Sequence, residues 1–442
     1  MAYLKYTDTP EAIWFQSVPD NWRATKMREL FSERNTKVSD KDYAALSVGK
    51  MGVVPQLDTA VKTDNGDNRK LICQGDFAIN SRSDRKGAGG ISVYDGSASL
   101  IITVLKPHHE LNGRFYHYLL RSHYFSEEFY RNGHGLVSDL WTTKWDTMRN
   151  IYIPVPPRDE QDQIVRYLDW QLSKINKLIH GYQRQNLLIN DIKNRKIQDI
   201  ILTADTRKYM RLKYLGSFEK GGGFSRDNLC VNGFPAILYG DIYTQYVYKT
   251  DIVNHRIDEG AYSKAVKIGH GDIVFAGTGE TKEEIGKPII YLGQDIVAIG
   301  GDVISFKNKS SLSSKYLLYF LYSEEALRYR YINGKGDIIV HISSGSLGNH
   351  IIPIPSKENE ERIVSQIEKV INDTTKIVND ILNEIQLLKE YRTRLISDVV
   401  TGQMDVREIE IPEYTPEEDT DESFESDADD IENAGEEVDS DE

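Results

Sequence analysis

The chain has 442 residues, 39% of them apolar and 28% charged, and carries a formal net charge of −14. That length accommodates two to four domains at roughly 100 to 200 residues each. No apolar run approaches the roughly 20 residues that span a bilayer, and the opening MAYLKYTDTP lacks the charged-then-apolar pattern of a secretory leader, so a soluble cytoplasmic protein is expected.

In chain order, residues 1–152 are expected to form a first α+β domain. It carries SVGKMG around Lys50, a Gly-Asp pair (Gly75, Asp76) leading the strand-like FAIN, and the polar loop SRSDRKGAGG. A helix-like YHYLLRS from Tyr116 and an NGHG turn at Asn132 follow. Residues 153–205 open with IPVPP, whose prolines stop the preceding element, and then run without proline as a long helix. Residues 206–351 repeat the plan, with Gly271 and Asp272 before IVFA, the loop AGTGETKEEIGK, YLLYFLYS from Tyr316 and NGKG at Asn333.

Residues 352–406 repeat the long helix. IPVPPRDEQDQIV (Ile153 to Val165) aligns with IPIPSKENEERIV (Ile352 to Val364) at an offset of 199, without a gap as far as Arg195, Ile197 and Asp199 against Arg394, Ile396 and Asp398. In the second copy Ile367, Ile371, Thr374, Val378, Ile381, Ile385 and Leu388 alternate four and three apart, the seam of a coiled coil. The first copy supplies Leu168, Leu172, Ile175, Ile179, Tyr182, Asn186 and Ile189, so the two helices are expected to pack on each other, with Asn186 fixing their register. Beyond them the chain turns acidic. Residues 405–442 hold 19 of the 68 acidic groups and, in Arg407, one of the 54 basic ones, which leaves the body with 53 basic against 49 acidic. Residues 407–442 are expected to be a disordered tail, either a solubilising extension or a competitor for the body's basic surface. Cys73 and Cys230 stand far apart and outside metal-ligand spacing, the pattern of two reduced structural thiols.

From Ala12 to about Val406 this order resembles the specificity subunits of type I restriction–modification systems. The resemblance rests on AIWFQSVPDNWRATKMREL with Trp14, Pro19, Trp22 and Leu30, on the Gly-Asp strand of each half, on IPxP followed by an acidic stretch and IV, and on LISDVVTGQMDV (Leu395 to Val406). It implies an α+β fold of two pseudo-repeated target-recognition domains separated by two long antiparallel coiled-coil helices. It also implies a non-catalytic DNA-reading subunit. Each domain would read one half of a bipartite asymmetric site, while the helices set the spacer and dock two modification subunits. Cofactors would then belong to partners: S-adenosylmethionine to the adenine-methylating modification subunits, ATP and Mg²⁺ to the restriction (motor-nuclease) subunits. No metal is expected on this chain, and the acidic extension lies outside the family's pattern.

Base reading needs donors and acceptors on loops that enter a groove. The candidates in the first domain are Lys50, Arg82, Arg85, Lys86, His134, Thr143 and Lys144. Those in the second are Lys220, Arg226, Thr278, Lys282, Lys287, Lys335, His341 and Ser344. The glycine runs Gly87–Gly90 and Gly221–Gly223 lack the GK[ST] of a phosphate-binding loop and are expected to be flexible loops. His117, His123 and His134 have no metal-ligand spacing with an acidic partner. Two rivals remain. Asp272, Glu280 and Lys282 would suit a metal-dependent nuclease, although the first copy has Asn80, Ser81 and Arg82 there. A structural scaffold joining two protein-binding domains would show no salt-sensitive DNA binding. A methyltransferase would need a glycine-rich cofactor loop and an Asn/Asp-Pro-Pro-aromatic motif; the sole Pro-Pro pair, Pro156-Pro157, follows Val155 and precedes Arg158, so the chain is not expected to methylate alone.

Overall fold

A computed structural model describes residues 5–57, 66–82, 86–109, 111–135, 141–206, 208–336 and 338–417. It divides into two compact units, one made of Met1–Arg184 with Leu382–Glu442 and the other of Gln185–Ile381.

In the first unit the Gly-Asp pair is a turn device. Gly75 takes a φ of 87°, a left-handed conformation that glycine adopts without Cβ strain, and the Asp76 carboxylate accepts the Cys73 N–H at 2.8 Å and the Arg34 guanidinium at 2.6 and 3.1 Å. The turn launches Phe77–Asn80, buried along its whole length. This strand lies in an antiparallel sheet in the order Gly89–Ile91, Phe77–Asn80, Ile102–Pro107, Phe31–Glu33. Gly89 and Gly90 are therefore part of a strand, not the flexible loop expected: a Cβ on Gly89 would stand 2.8 Å from the Ala78 carbonyl oxygen. A second sheet pairs Gly96–Ala98, Arg69–Ile72 and Lys37–Val38. The helices Gly113–Arg121 and His123–Arg131 follow, capped by the side chains of Asn112 and Ser122.

The end of the domain returns to its beginning, since Tyr152–Val155 pairs antiparallel with Arg23–Lys26. The IPVPP segment thus supplies a strand and then a stop, and the first long helix, Arg158–Leu202, begins after Pro157. Trp14 Nε1 donates to the Tyr152 carbonyl at 2.8 Å, and Trp22 Nε1 to the buried Glu160 at 2.7 Å. Pro19 and Trp22 pack against Gly402, whose φ of 74° ends the second long helix, and Tyr6 Oη donates to its carbonyl. The motifs from the two ends of the family-like region are thus neighbours.

The second unit repeats the sheet order with Pro288–Tyr291, Ile273–Ala276, Val303–Asn308 and Gly216–Lys220, and adds Lys249–Thr250 at the Pro288–Tyr291 edge. Asp272 accepts the Gly269 N–H at 2.9 Å beside Gly271 with φ 84°, the same turn as in the first unit. Lys208–Arg211 pairs with Ile351–Ile354, closing this domain as the other is closed. Its core joins Phe275, Phe306, Tyr316 and Phe320 to Ile197 and Ile201 of the first long helix and to Ile363 and Ile367 of the second, Lys357–Val400. Burying such side chains supplies roughly 1.5 to 3 kcal/mol each.

The two long helices, each about 65 Å at 1.5 Å per residue, pack antiparallel. In the first unit the Asn176 side chain accepts from Arg392 at 3.2 Å; in the second the Asp205 carboxylate accepts from Ser356, and Thr203 lies against Asn359 and Arg362. Among the seam residues Leu168, Ile175, Ile179, Ile367, Ile381 and Ile385 are buried. Leu172, Tyr182, Asn186, Ile189, Ile371, Thr374, Val378 and Leu388 are half-buried, whereas Leu178, Leu187, Leu188 and Ile377 are exposed.

The tail is described as far as Glu417, and this part lies along the first long helix. Gln163 donates to the carbonyls of Val406 and Ile409, Ser173 to that of Thr415, and Asn176 to that of Glu417. The Glu417 carboxylate meets His180 Nδ1 at 2.8 Å, which holds its pKa below the usual carboxylate range. No helix among the described residues is long and apolar enough to cross a membrane.

Candidate functional site

In the second unit the strand Thr278–Gly279 leaves the sheet and pairs with Val340–His341, while Lys335 bridges to His341 from the other side. Thr278 Oγ1 and His341 Nδ1 lie 3.0 Å apart. Thr278, Lys335, His341 and Ser344 line one cleft of about 340 Å³ with Lys220. Arg330, 2% exposed, donates to the carbonyls of Ile285 and Leu321, and burial pushes its pKa down to about 10. Tyr243 Oη donates to the Thr278 carbonyl at 3.1 Å.

The first unit builds the same backbone with different side chains. Arg82 and His134 both bridge to Thr142, and Thr143 N–H donates to the Ser81 carbonyl as Ile342 N–H does to Gly277. Arg82, His134 and Thr142 therefore occupy the positions of Thr278, Lys335 and His341. Thr142 is absent from the sequence candidates; its neighbour Thr143 is 1% exposed and donates to the Phe129 carbonyl at 2.8 Å, so it braces the core. Gly133 allows the close approach, because a Cβ there would stand 2.2 Å from Trp141 Nε1. Lys144 is exposed at the start of the short helix Trp145–Met148.

A larger groove of about 630 Å³ in the first unit gathers Lys50 and Lys86 with Arg114, His117, Arg121, His123 and Arg392. Arg114 pairs with Asp169 at 2.7 Å, and Lys86 pairs with Glu127 at 2.9 Å while lying 4.1 Å above the Tyr130 ring. Arg121 reaches His117 Nε2 at 2.7 Å and also the Lys50 carbonyl. Burial, with Arg121 and Arg114 adding to it, pushes the His117 pKa down to about 3, so the ring is neutral and can accept from Arg121. Arg114, Arg121 and Arg392 are absent from the sequence candidates. Arg114, His117 and Arg121 are three and four residues apart, the spacing of one helix face, and that signal was available.

The remaining candidates are more dispersed. Arg85 lies outside the described residues. Arg226 is exposed in the turn Arg226–Asn228, and Lys282 is half-buried. Lys287 donates to the Tyr243 carbonyl at 3.2 Å, and burial lowers its pKa. Asp272, the first member of the nuclease triad, holds its turn through Gly269, and burial raises its pKa. Among the described residues, no group of three His, Cys, Asp or Glu side chains could hold a metal ion.

Residues 205–387 match the family described as Type I restriction modification DNA specificity domain. A Methanocaldococcus jannaschii protein inferred to be the MjaX type I restriction enzyme specificity subunit is 18% identical over 436 residues, covering 88% of this chain and 95% of its own. A chain from a structure concerned with complex assembly and conformational transition of the type I R-M system superposes with a TM-score of 0.64 at 14% identity, over 88% of this chain and 99% of that one. The HsdS subunit from Thermoanaerobacter tengcongensis gives a TM-score of 0.46 at 17% identity, over 88% and 98%.

Proposed function

We propose, from the premise that this chain belongs to the type I restriction–modification specificity-subunit family, that its two domains each read one half of a bipartite, asymmetric DNA site. The observation that carries this reading is the pair of equivalent backbone frames with unlike side chains: Arg82, His134 and Thr142 in one, Thr278, Lys335 and His341 in the other. Identical readers would require a palindrome; two frames with different donors and acceptors suit two different half-sites. Exposed Lys50, Lys144, Lys220 and Arg226 would meet phosphate and fix the register.

The paired helices set the spacer in this reading. They also carry Leu178, Leu187, Leu188 and Ile192 exposed on the first helix, apolar surface that supports docking of modification subunits. The chain itself would perform no catalysis. S-adenosylmethionine would be bound by the two modification subunits, and ATP and Mg²⁺ by the restriction subunits.

Long-read methylation mapping of a strain with and without this gene tests the proposal. Loss of one split, asymmetric methylation motif on deletion is the expected result, together with duplex affinity of the assembled complex that falls steeply with salt. An unchanged methylome, with assembly indifferent to DNA, would overturn it in favour of the scaffold reading.

A further inference from the structure

We infer that the acidic segment 418–442 of this chain occupies the cationic groove of the first unit. The chain is already at the groove where the segment begins: Pro416 and Glu417 line it, the Glu417 N–H donates to Ser173 Oγ, Asn176 donates to the Glu417 carbonyl, and His180 meets its carboxylate. Lys177 and Arg184 add positive charge beside Glu417. Residues 418–442 contain 14 acidic and no basic side chains, and the groove gathers Lys50, Lys86, Arg114, Arg121 and Arg392. Among the described lining residues these five Lys and Arg side chains outnumber the two carboxylates, Asp169 and Glu417; Asp169 is paired with Arg114, and Lys86 also meets Glu127.

Reach is no obstacle, because 25 residues extend to about 80 Å. Tethering at Glu417 converts binding into an intramolecular event at an effective concentration in the millimolar range, so many weak, salt-screened contacts suffice. A flexible polycarboxylate offers the groove the same sign of charge as a phosphate backbone. Where the proposed DNA reading holds, on which this consequence rests, tail and duplex exclude each other from this surface, and non-cognate DNA is disfavoured most.

Zero-length carbodiimide cross-linking of the full chain, followed by peptide mapping, tests the occupancy directly. Amide links from tail carboxylates to Lys50 or Lys86, lost at about 0.5 M salt, are expected; tail peptides that stay unlinked or link only elsewhere overturn the inference. In parallel, a mixed-sequence duplex of ~30 base pairs is titrated into the full chain, a chain lacking 418–442, and a chain of full length with those 14 Asp and Glu changed to Asn and Gln. Both altered chains are expected to bind about three- to tenfold tighter at about 50 mM salt, with the difference closing as salt rises. If the cross-links form but duplex affinity does not change, the tail sits in the groove as inferred and it is the DNA reading of that groove that fails.

Discussion

Replacing His341 by Ala alters one side chain of the second unit's cleft and leaves its frame intact. The bonds that hold the position, Lys335 N–H to the His341 carbonyl at 2.9 Å and His341 N–H to the Lys335 carbonyl at 2.8 Å, are main-chain and survive. The imidazole is exposed, so no cavity opens; the substitution removes the 3.0 Å hydrogen bond with Thr278 Oγ1, worth about 1 kcal/mol. The melting temperature of a unit this size should fall by about 2 to 4 °C. A base-edge contact discriminates by about 1 to 3 kcal/mol, or about five- to 150-fold between right and wrong base. Methylation mapping with the variant in the assembled enzyme should therefore show degeneracy at one position of one half-site, with the other half-site and the gap unchanged. Changes spread over both half-sites, or an unaltered methylome at normal expression, would refute the assignment of this cleft.

Inserting one heptad after Arg184 and a second after Ile381 keeps the seam in register and lengthens the helix pair by about 10 Å; the methylated motif should keep both half-sites and gain about three base pairs of gap, and an unchanged gap would remove the helices as spacer. His350 is 2% exposed, stacks on Tyr329 at 4.3 Å with both ring nitrogens lacking hydrogen-bond partners, and has its pKa pushed down to about 4 by burial and by Arg330. Because the folded pKa lies below the unfolded value of about 6.5, unfolding takes up a proton as pH falls through that window, so stability should drop by about 3 kcal/mol between pH 6.5 and 4. Urea titrations of His350→Phe should show a flatter dependence over that range, and an equal slope would contradict the linkage.

The long helices were legible because their period persists over many turns and occurs twice in sequence. The Gly-Asp strands were visible as a repeat, but the use of the carboxylate was not, since a bond from Asp76 or Asp272 to an N–H three residues back leaves no compositional trace. The frames of the two clefts were only half visible. Arg82 meets Thr142, and Thr278 meets His341, across about sixty residues, and pairing at that separation is set by the sheet. Thr143 shows the cost: in an extended segment adjacent side chains point to opposite faces, so a one-residue error exchanges the half-buried Thr142 frame position for a core brace. Likewise Arg392 reaches the groove from the far end of the chain, which no local pattern announces.

The two-strand closures, Arg23–Lys26 on Tyr152–Val155 and Lys208–Arg211 on Ile351–Ile354, bring the first and last strands of each domain side by side. Chain entry and exit next to each other make a natural boundary for exchange. Under the proposed DNA reading, a segment exchanged between these paired strands would bring its own half-site preference with it, provided that its core still fits Ile197, Ile201, Ile363 and Ile367 of the long helices.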